Sequence, residues 1–430
     1  MLIHDFYPFA ILFPLIALRV PIGFGLLLSG LFTSWMAGEV HFLSVVRIFL
    51  DAPKHYTLLA IPFFILTADL LEAGGLITLL FEGLRAWLGR LPGGLGSVTV
   101  AGTMIFGGIS GSSAADAAAF SKIGTAGMSA QGFRREFSAC LVASSGTLAI
   151  MVPPSIAMLI YGSLTDTSIG ALAFGGLTPG ILFGLILMTY VAWVARRQGI
   201  GLDERKYTWA ERRSYSLRLL PIFGILFLVL WGFYTGKFMP TEVSTMSALA
   251  SLLVALFIYR SLHLRDIPRV LAKTVRTSAA IFLIIAGATV FAKSLTVSGF
   301  TARAVALIRA ADLAPWQFML GVTAILYFLG CFMEGVALNV MTTPMLAPIA
   351  QSLGIGLVQY GLFLIFNIEV ALISPPVGLN VSIVSAATGV PLEQMYRRIW
   401  PFIIILEAGV MIMIFFPSLA LWLPRLIYGP

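Results

Sequence analysis

Apolar residues run along this chain in long blocks separated by short polar or cationic seams, and the block lengths predict the elements. Blocks at about 9–35, 57–72, 137–165, 172–195, 217–234, 241–259, 279–298, 357–388 and 400–423 each come near or exceed the roughly 20 residues a helix needs to cross a bilayer. Two further blocks, 96–130 and 316–352, are interrupted midway by small and polar residues and are read as re-entrant hairpins that double back. Residues 76–90 (LITLLFEGLRAWLGR) and 300–311 (FTARAVALIRAA) mix apolar and cationic positions at helical spacing, the pattern of amphipathic arms lying along an interface. The first block, Phe9 to about Met36, lacks a basic leader and a small-residue cleavage site, so it is expected to remain as one retained helix.

The pattern then repeats. Sliding the chain by 222 positions lays Pro153 on Pro375, Pro154 on Pro376 and Pro179 on Pro401, and puts Ser110 to Ser113 on Phe332 to Gly335. Both halves read as span, span, arm, hairpin, proline-broken span, span. This predicts one membrane domain, 1–430, made of a first repeat at 1–198, a linker and inverting helix at 199–236, and a second, inverted repeat at 237–430. The charges agree with the inversion. With the segment 196–218 inside, 19 Lys and Arg fall inside and 7 outside, Arg19 being undecided. That choice puts the N-terminus in the cytoplasm and the C-terminus outside.

Composition narrows the class. At 59% hydrophobic residues, 11% charged residues and a mean hydropathy of +0.97, the chain is too apolar for a soluble protein and reads as an all-α polytopic membrane protein. The net charge of +8 belongs to cationic loops facing the cytoplasm, and no basic run with interleaved aromatics points to nucleic acid. Cys140 and Cys331 both sit in apolar surroundings and are read as inert thiols.

Candidate chemistry gathers where the blocks break. The tip Gly107-Gly108-Ile109-Ser110-Gly111-Ser112-Ser113-Ala114-Ala115-Asp116 lies at membrane depth, where polar backbone survives only if buried or lining a cavity. A helix starting near Ser112 directs its first N–H groups at that cavity, which suits an anion. The breaks at Pro153-Pro154 and Pro375-Pro376 free carbonyls from the helix ladder, and freed carbonyls with hydroxyls are hard oxygen ligands appropriate for Na⁺. The substrate set is therefore Ser110, Ser112, Ser113, Asp116, Ser155 and Glu334. The Na⁺ set is Ser110, Ser112, Ser145, Gly146, Thr147 and Pro153 in the first half, with Gly335, Asn339, Ser374, Pro375, Gly378 and Asn380 in the second. One cation site is expected in each half, and substrate between the tip and the Pro-Pro break. Asp166, Glu369 and Glu407 are further intramembrane carboxylates, the last two favoured as structural hydrogen-bond acceptors. Asp69 and Glu72 are expected to cap at the interface.

Enzymatic readings lack parts. Gly108-Ile109-Ser110-Gly111 matches the G-x-S-G of intramembrane serine hydrolases, but His4, His41, His55 and His263 lie at the terminus or in loops, leaving no base for the serine. No phosphate-binding Gly-rich loop and no metal-ligand cluster of Cys and His occurs. An enzyme is not expected. A stand-alone carboxylate carrier driven by protons is the alternative within transport.

Four motifs in order, GGISGSSAADAAA, MVPPSIAMLIYG, LGCFMEGVALNVMTTPMLAPIA and LISPPVGLNVSIVSAATG, resemble the large membrane subunit of the tripartite ATP-independent periplasmic (TRAP) transporters, over essentially the whole chain. The resemblance implies Na⁺-coupled import of an organic acid, such as a C4-dicarboxylate, sialic acid or another sugar acid, across the bacterial inner membrane. It further implies a periplasmic substrate-binding protein, a small four-helix membrane subunit as a separate chain, and an elevator movement of the hairpin-bearing core. Ser110, Ser112 and Asp116 match the family's hairpin-tip positions, and the two Pro-Pro breaks its ion-binding bends. Many members have Thr at the position of Asp116, and an acidic residue there resembles the sialic-acid type.

Overall fold

In the computed structural model the described residues are 7–429, apart from 19, 37, 39–41, 201–202 and 204, and all regular structure among them is helical. The first half runs α1 (Tyr7–Ala17), α2 (Ile22–Met36), α3 (Phe42–Asp51), α4 (Ala60–Ala73), α5 (Leu76–Leu88), α6 (Gly94–Ser110), α7 (Ser113–Ala130), α8 (Arg135–Ala149), α9 (Ile156–Thr165) and α10 (Ile169–Gln198). After α11 (Trp209–Thr235) come α12 (Pro240–Leu253), α13 (Ile267–Val297), α14 (Phe300–Ala310), α15 (Pro315–Gly330), α16 (Gly335–Ser352), α17 (Leu357–Ala371), α18 (Leu379–Thr388), α19 (Leu392–Arg398), α20 (Trp400–Phe415) and α21 (Ser418–Tyr428).

Among the described residues five helices are long and apolar enough to cross a bilayer by themselves: Tyr56–Ala73, Ile169–Gln198, Trp209–Thr235, Pro240–Ile258 and Leu264–Val297. The other apolar blocks are built from shorter helices because the chain breaks within them. The breaks at 111–112 and 331–334 divide α6 from α7 and α15 from α16, where the hairpins were expected. Phe106 and Phe120 meet across the first hairpin with ring centroids 6.0 Å apart. α8 and α9 are separated at Pro153-Pro154, and α17 and α18 at Pro375-Pro376, with both Pro-Pro bonds cis.

Two expected spans are corrected. The block 9–35 is not one helix: α1 folds back on α2, and the Ser29 hydroxyl donates to the Pro8 carbonyl at 2.5 Å. Pro21, without an N–H and restricting the residue before it, stops a continuous helix. The block 400–423 likewise divides at Pro417 into α20 and α21, while α19 and α20 meet at a 55° bend.

The helices form two groups. In one, α2 lies along α13 and α4 along α12, with α11 against α12 and the arm α5. In the other, the hairpins surround the broken spans, and the pairing crosses between halves: α7 lies along α18, and α16 along α9. Helix α13 touches both groups through α2 and α16, so it forms a wall beside the hairpin tips.

Candidate functional site

At the first tip α6 ends in Ser110, and Gly111 turns the chain with φ 66°, a left-handed conformation that glycine adopts without a Cβ penalty. Ser112 is extended and caps α7, its hydroxyl accepting from the Ala115 N–H at 3.4 Å. The tip sits on the Pro-Pro break: the Ile156 N–H donates to the Gly111 carbonyl at 3.1 Å, and a Cβ at Gly111 would lie 3.0 Å from the Pro154 oxygen. Ser155, buried behind this contact, caps α9 by accepting from the Met158 N–H at 3.3 Å.

A cavity of about 370 Å³ opens against this junction, lined among others by Ser112, Ser113, Ile156, Glu334, Gly335, Glu369, Leu379 and Thr277. The first residues of four helices, α7, α9, α16 and α18, border it. Each helix start carries N–H groups without intrahelical partners and roughly half a positive charge. Their convergence supplies partial positive charge to a cavity that also carries the carboxylates Glu334 and Glu369. Of those carboxylates, Glu369 leaves Oε2 without a partner, and Glu334 stands at the start of α16 without capping it through its side chain.

Behind the tip lie oxygens with spare lone pairs. Asp116 is fully buried, accepts the Ser110 hydroxyl through one oxygen and leaves Oδ2 without a partner. A Cβ on Gly107 would come within 2.7 Å of that oxygen and 3.0 Å of the Ala149 carbonyl, so both crowd the same spot. Asp116 therefore faces away from the cavity wall, on the side of α8, and does not line it. Gly146 gives α8 its close approach to α7, where a Cβ would stand 3.0 Å from the Ala117 nitrogen.

Of the remaining predicted ion residues, Asn380 and Thr147 meet across the two halves, and Asn339 reaches across to α9. Asn380 donates to the Thr147 hydroxyl at 2.9 Å, both residues are fully buried, and Asn380 Oδ1 has no partner. Asn339 donates to the Ala157 carbonyl at 2.8 Å and accepts from Thr343 at 2.8 Å. Ser145 and Ser374 return their hydroxyls to carbonyls of their own helices, Val142 and Val370. Gly378 begins α18 with φ 53°, the Cys331 thiol donates to the Pro375 carbonyl at 3.6 Å, and the Pro153 carbonyl faces Gly108.

A second cavity of about 220 Å³ adjoins the first, sharing Ser112, Ala115, Ile156, Thr277 and Ile281, and adds Ser110, Asp69, Glu72 and Lys273. Here the expected interfacial capping by Asp69 and Glu72 is corrected. Lys273 bridges the two carboxylates at 2.8 and 2.6 Å, and Thr274 donates to Asp69 at 2.7 Å, joining α4 to α13. Sequence reasoning missed Lys273. The available signal was a carboxylate pair three residues apart on α4 and a lysine seven residues into the long apolar helix α13. Glu407 accepts from Tyr327, as a structural acceptor, and Asp166 ends α9 beside a separate cavity with His55.

Helices long and apolar enough to span, paired helical hairpins and a cavity between them are the architecture of a membrane transporter. Residues 9–419 match the family described as "Tripartite ATP-independent periplasmic transporter, DctM component", and the chain belongs to that family, the large membrane subunits of TRAP transporters. It is 37% identical over 381 residues to the C4-dicarboxylate TRAP transporter large permease protein of Pseudomonas aeruginosa, covering 87% of this chain and 88% of that one. The sialic acid TRAP transporter large permease protein of Vibrio cholerae is 28% identical, with 95% and 96% covered. Among solved structures the Alcanivorax borkumensis YdaH transporter shares the fold, with a TM-score of 0.62 at 11% identity over 88% of each chain. The chain is a multi-pass membrane permease of the TRAP type.

Proposed function

We propose that this chain is the permease of a Na⁺-driven importer of a small organic acid, a C4-dicarboxylate, sialic acid or another sugar acid, in the bacterial inner membrane. A periplasmic binding protein delivers the acid, and a small four-helix membrane subunit completes the complex. The observation that carries the reading is the convergence of four helix starts on one cavity, a preformed counter-charge for a carboxylate. Its volume of about 370 Å³ falls within the range typical of small-molecule sites.

Two oxygen sets are assigned to Na⁺. Asp116 with Ser110 forms one, and Asn380 with Thr147 the other, because each leaves a buried oxygen unpartnered at a place where hard donors crowd. The two halves act as inverted repeats, and the hairpin-bearing group slides past α2, α4, α12 and α13 in an elevator movement. The matched order of elements at an offset of 222 residues and the crossed pairing of α7 with α18 and α16 with α9 support this. The N-terminus is assigned to the cytoplasm and the C-terminus to the periplasm.

The test is uptake into vesicles holding the chain and both partners. Ser112→Ala and Asp116→Ala are expected to abolish Na⁺-dependent uptake while the protein still inserts. Undiminished uptake in both removes the tip from the mechanism.

A further inference from the structure

We propose that Lys273 is a substrate contact, receiving a second acidic group of the substrate on the wall of the transport cavity. The proposal rests on the reading of the first tip as the substrate site and deepens it. Its basis is the adjacency of two spaces. The cavity bordered by the four helix starts shares Ser112, Ala115, Ile156, Thr277 and Ile281 with the smaller one, and Lys273 borders the smaller one. Among the described residues lining either space, Lys273 is the single cation, against Asp69, Glu72, Glu334 and Glu369.

The ammonium has three N–H donors, and two are engaged, with Asp69 at 2.8 Å and Glu72 at 2.6 Å. Lys273 lines the smaller cavity, and its side chain is 56% exposed, which leaves the third donor accessible. The two carboxylates hold the ammonium in place, so an arriving acid meets an oriented donor without the pair having to break. Should the ammonium swing further, Asp69 keeps the Thr274 hydroxyl, and Glu72, 48% exposed, regains water. A lysine on a four-carbon stem is suited to such sharing, because its donors rotate about a point charge.

A substrate with two acidic ends then lies with one carboxylate at the helix starts and Ser112, and the other at Lys273. An acid with one carboxylate forgoes the second contact. Because a hydrogen bond to a charged group contributes about 1.5–3 kcal/mol, the preference for the dianion is about ten- to a hundredfold in affinity.

The experiment titrates the purified full chain, in Na⁺, with succinate and with butyrate, and follows thermal stabilisation. The wild type is expected to bind succinate about ten- to a hundredfold more tightly than butyrate. Lys273→Met is expected to collapse that gap, and Lys273→Arg and Glu72→Gln to keep most of it. No preference in the wild type, which needs no variant to fold, overturns the proposal, as does a gap that survives in Lys273→Met. Ser112→Ala separates this from the underlying reading. It is expected to weaken both acids alike, and binding of both that is unaltered in that variant refutes the tip site itself.

Discussion

Ser110 donates its hydroxyl to one oxygen of Asp116, a fully buried carboxylate whose other oxygen has no partner, directly behind the turn at Gly111. A lone buried carboxylate is costly, so the pair gains most from a cation that the protein itself does not supply. Asp116→Asn preserves the shape and the acceptor for Ser110 but removes the charge. We expect correct insertion and at least about a tenfold rise in the Na⁺ concentration for half-maximal uptake. An unchanged Na⁺ dependence assigns Asp116 to structure alone.

Asn380 and Thr147 tie the broken spans of the two halves together at 2.9 Å. Asn380→Ala leaves a buried hydroxyl without its donor and a small cavity, a loss of about 1–3 kcal/mol. In thermal unfolding the variant is expected to start lower and to gain less from added Na⁺ than the wild type. A full Na⁺ response in Asn380→Ala removes this pair from the ion sites.

Gly107 lies where a Cβ would stand 2.5 Å from the Ala149 Cβ and 2.7 Å from Asp116 Oδ2. Gly107→Val therefore forces α6 away from α8 and costs about 1–3 kcal/mol by overpacking. Uptake should fall further than stability does, because the displaced oxygens belong to the proposed ion site. Proportional loss of both contradicts that assignment.

How much of this was legible along the chain depends on the range of the interaction. Proline and glycine act locally, so the breaks at Pro153-Pro154 and Pro375-Pro376 and the turn at Gly111 follow from residue type, and the helices divide there. The register of 222 carries through: α16 (Gly335–Ser352) and α17 (Leu357–Ala371) match α7 (Ser113–Ala130) and α8 (Arg135–Ala149) residue for residue. Hydropathy also blurred two boundaries, since apolar residues on both sides of Pro21 and Pro417 read as unbroken spans. Contacts over long separations left no periodic signal. Asn380 to Thr147 spans 233 residues and Lys273 to Glu72 spans 201, so the crossing of the ion residues between halves and the role of Lys273 emerge only from packing.

Outside the long apolar helices, Arg85 grips Asp203 with two hydrogen bonds of 2.7 and 2.9 Å, fastening Asp203, after α10, to the arm α5. The guanidinium holds the Asp203 carboxyl below the ordinary carboxylate value of 3.8. A group depressed in the folded state contributes stability that is present above its unfolded pKa and lost only as pH falls through the folded value. Tryptic cutting near Arg205 and Lys206 should therefore be equally slow at neutral pH and at about pH 5 in the wild type. Asp203→Asn should be cut faster at both. Acceleration of the wild type already at about pH 5 contradicts the pairing.

In the proposed mechanism Na⁺, held behind the hairpin tip, drives an acid into the cavity in front of it. Accumulation of labelled organic acid should be measured in proteoliposomes containing the chain and both partners, under an inward Na⁺ gradient and, separately, under a pH gradient in Na⁺-free medium. Uphill accumulation with Na⁺ alone is the expected result; equal accumulation on the proton gradient without Na⁺ refutes Na⁺ coupling.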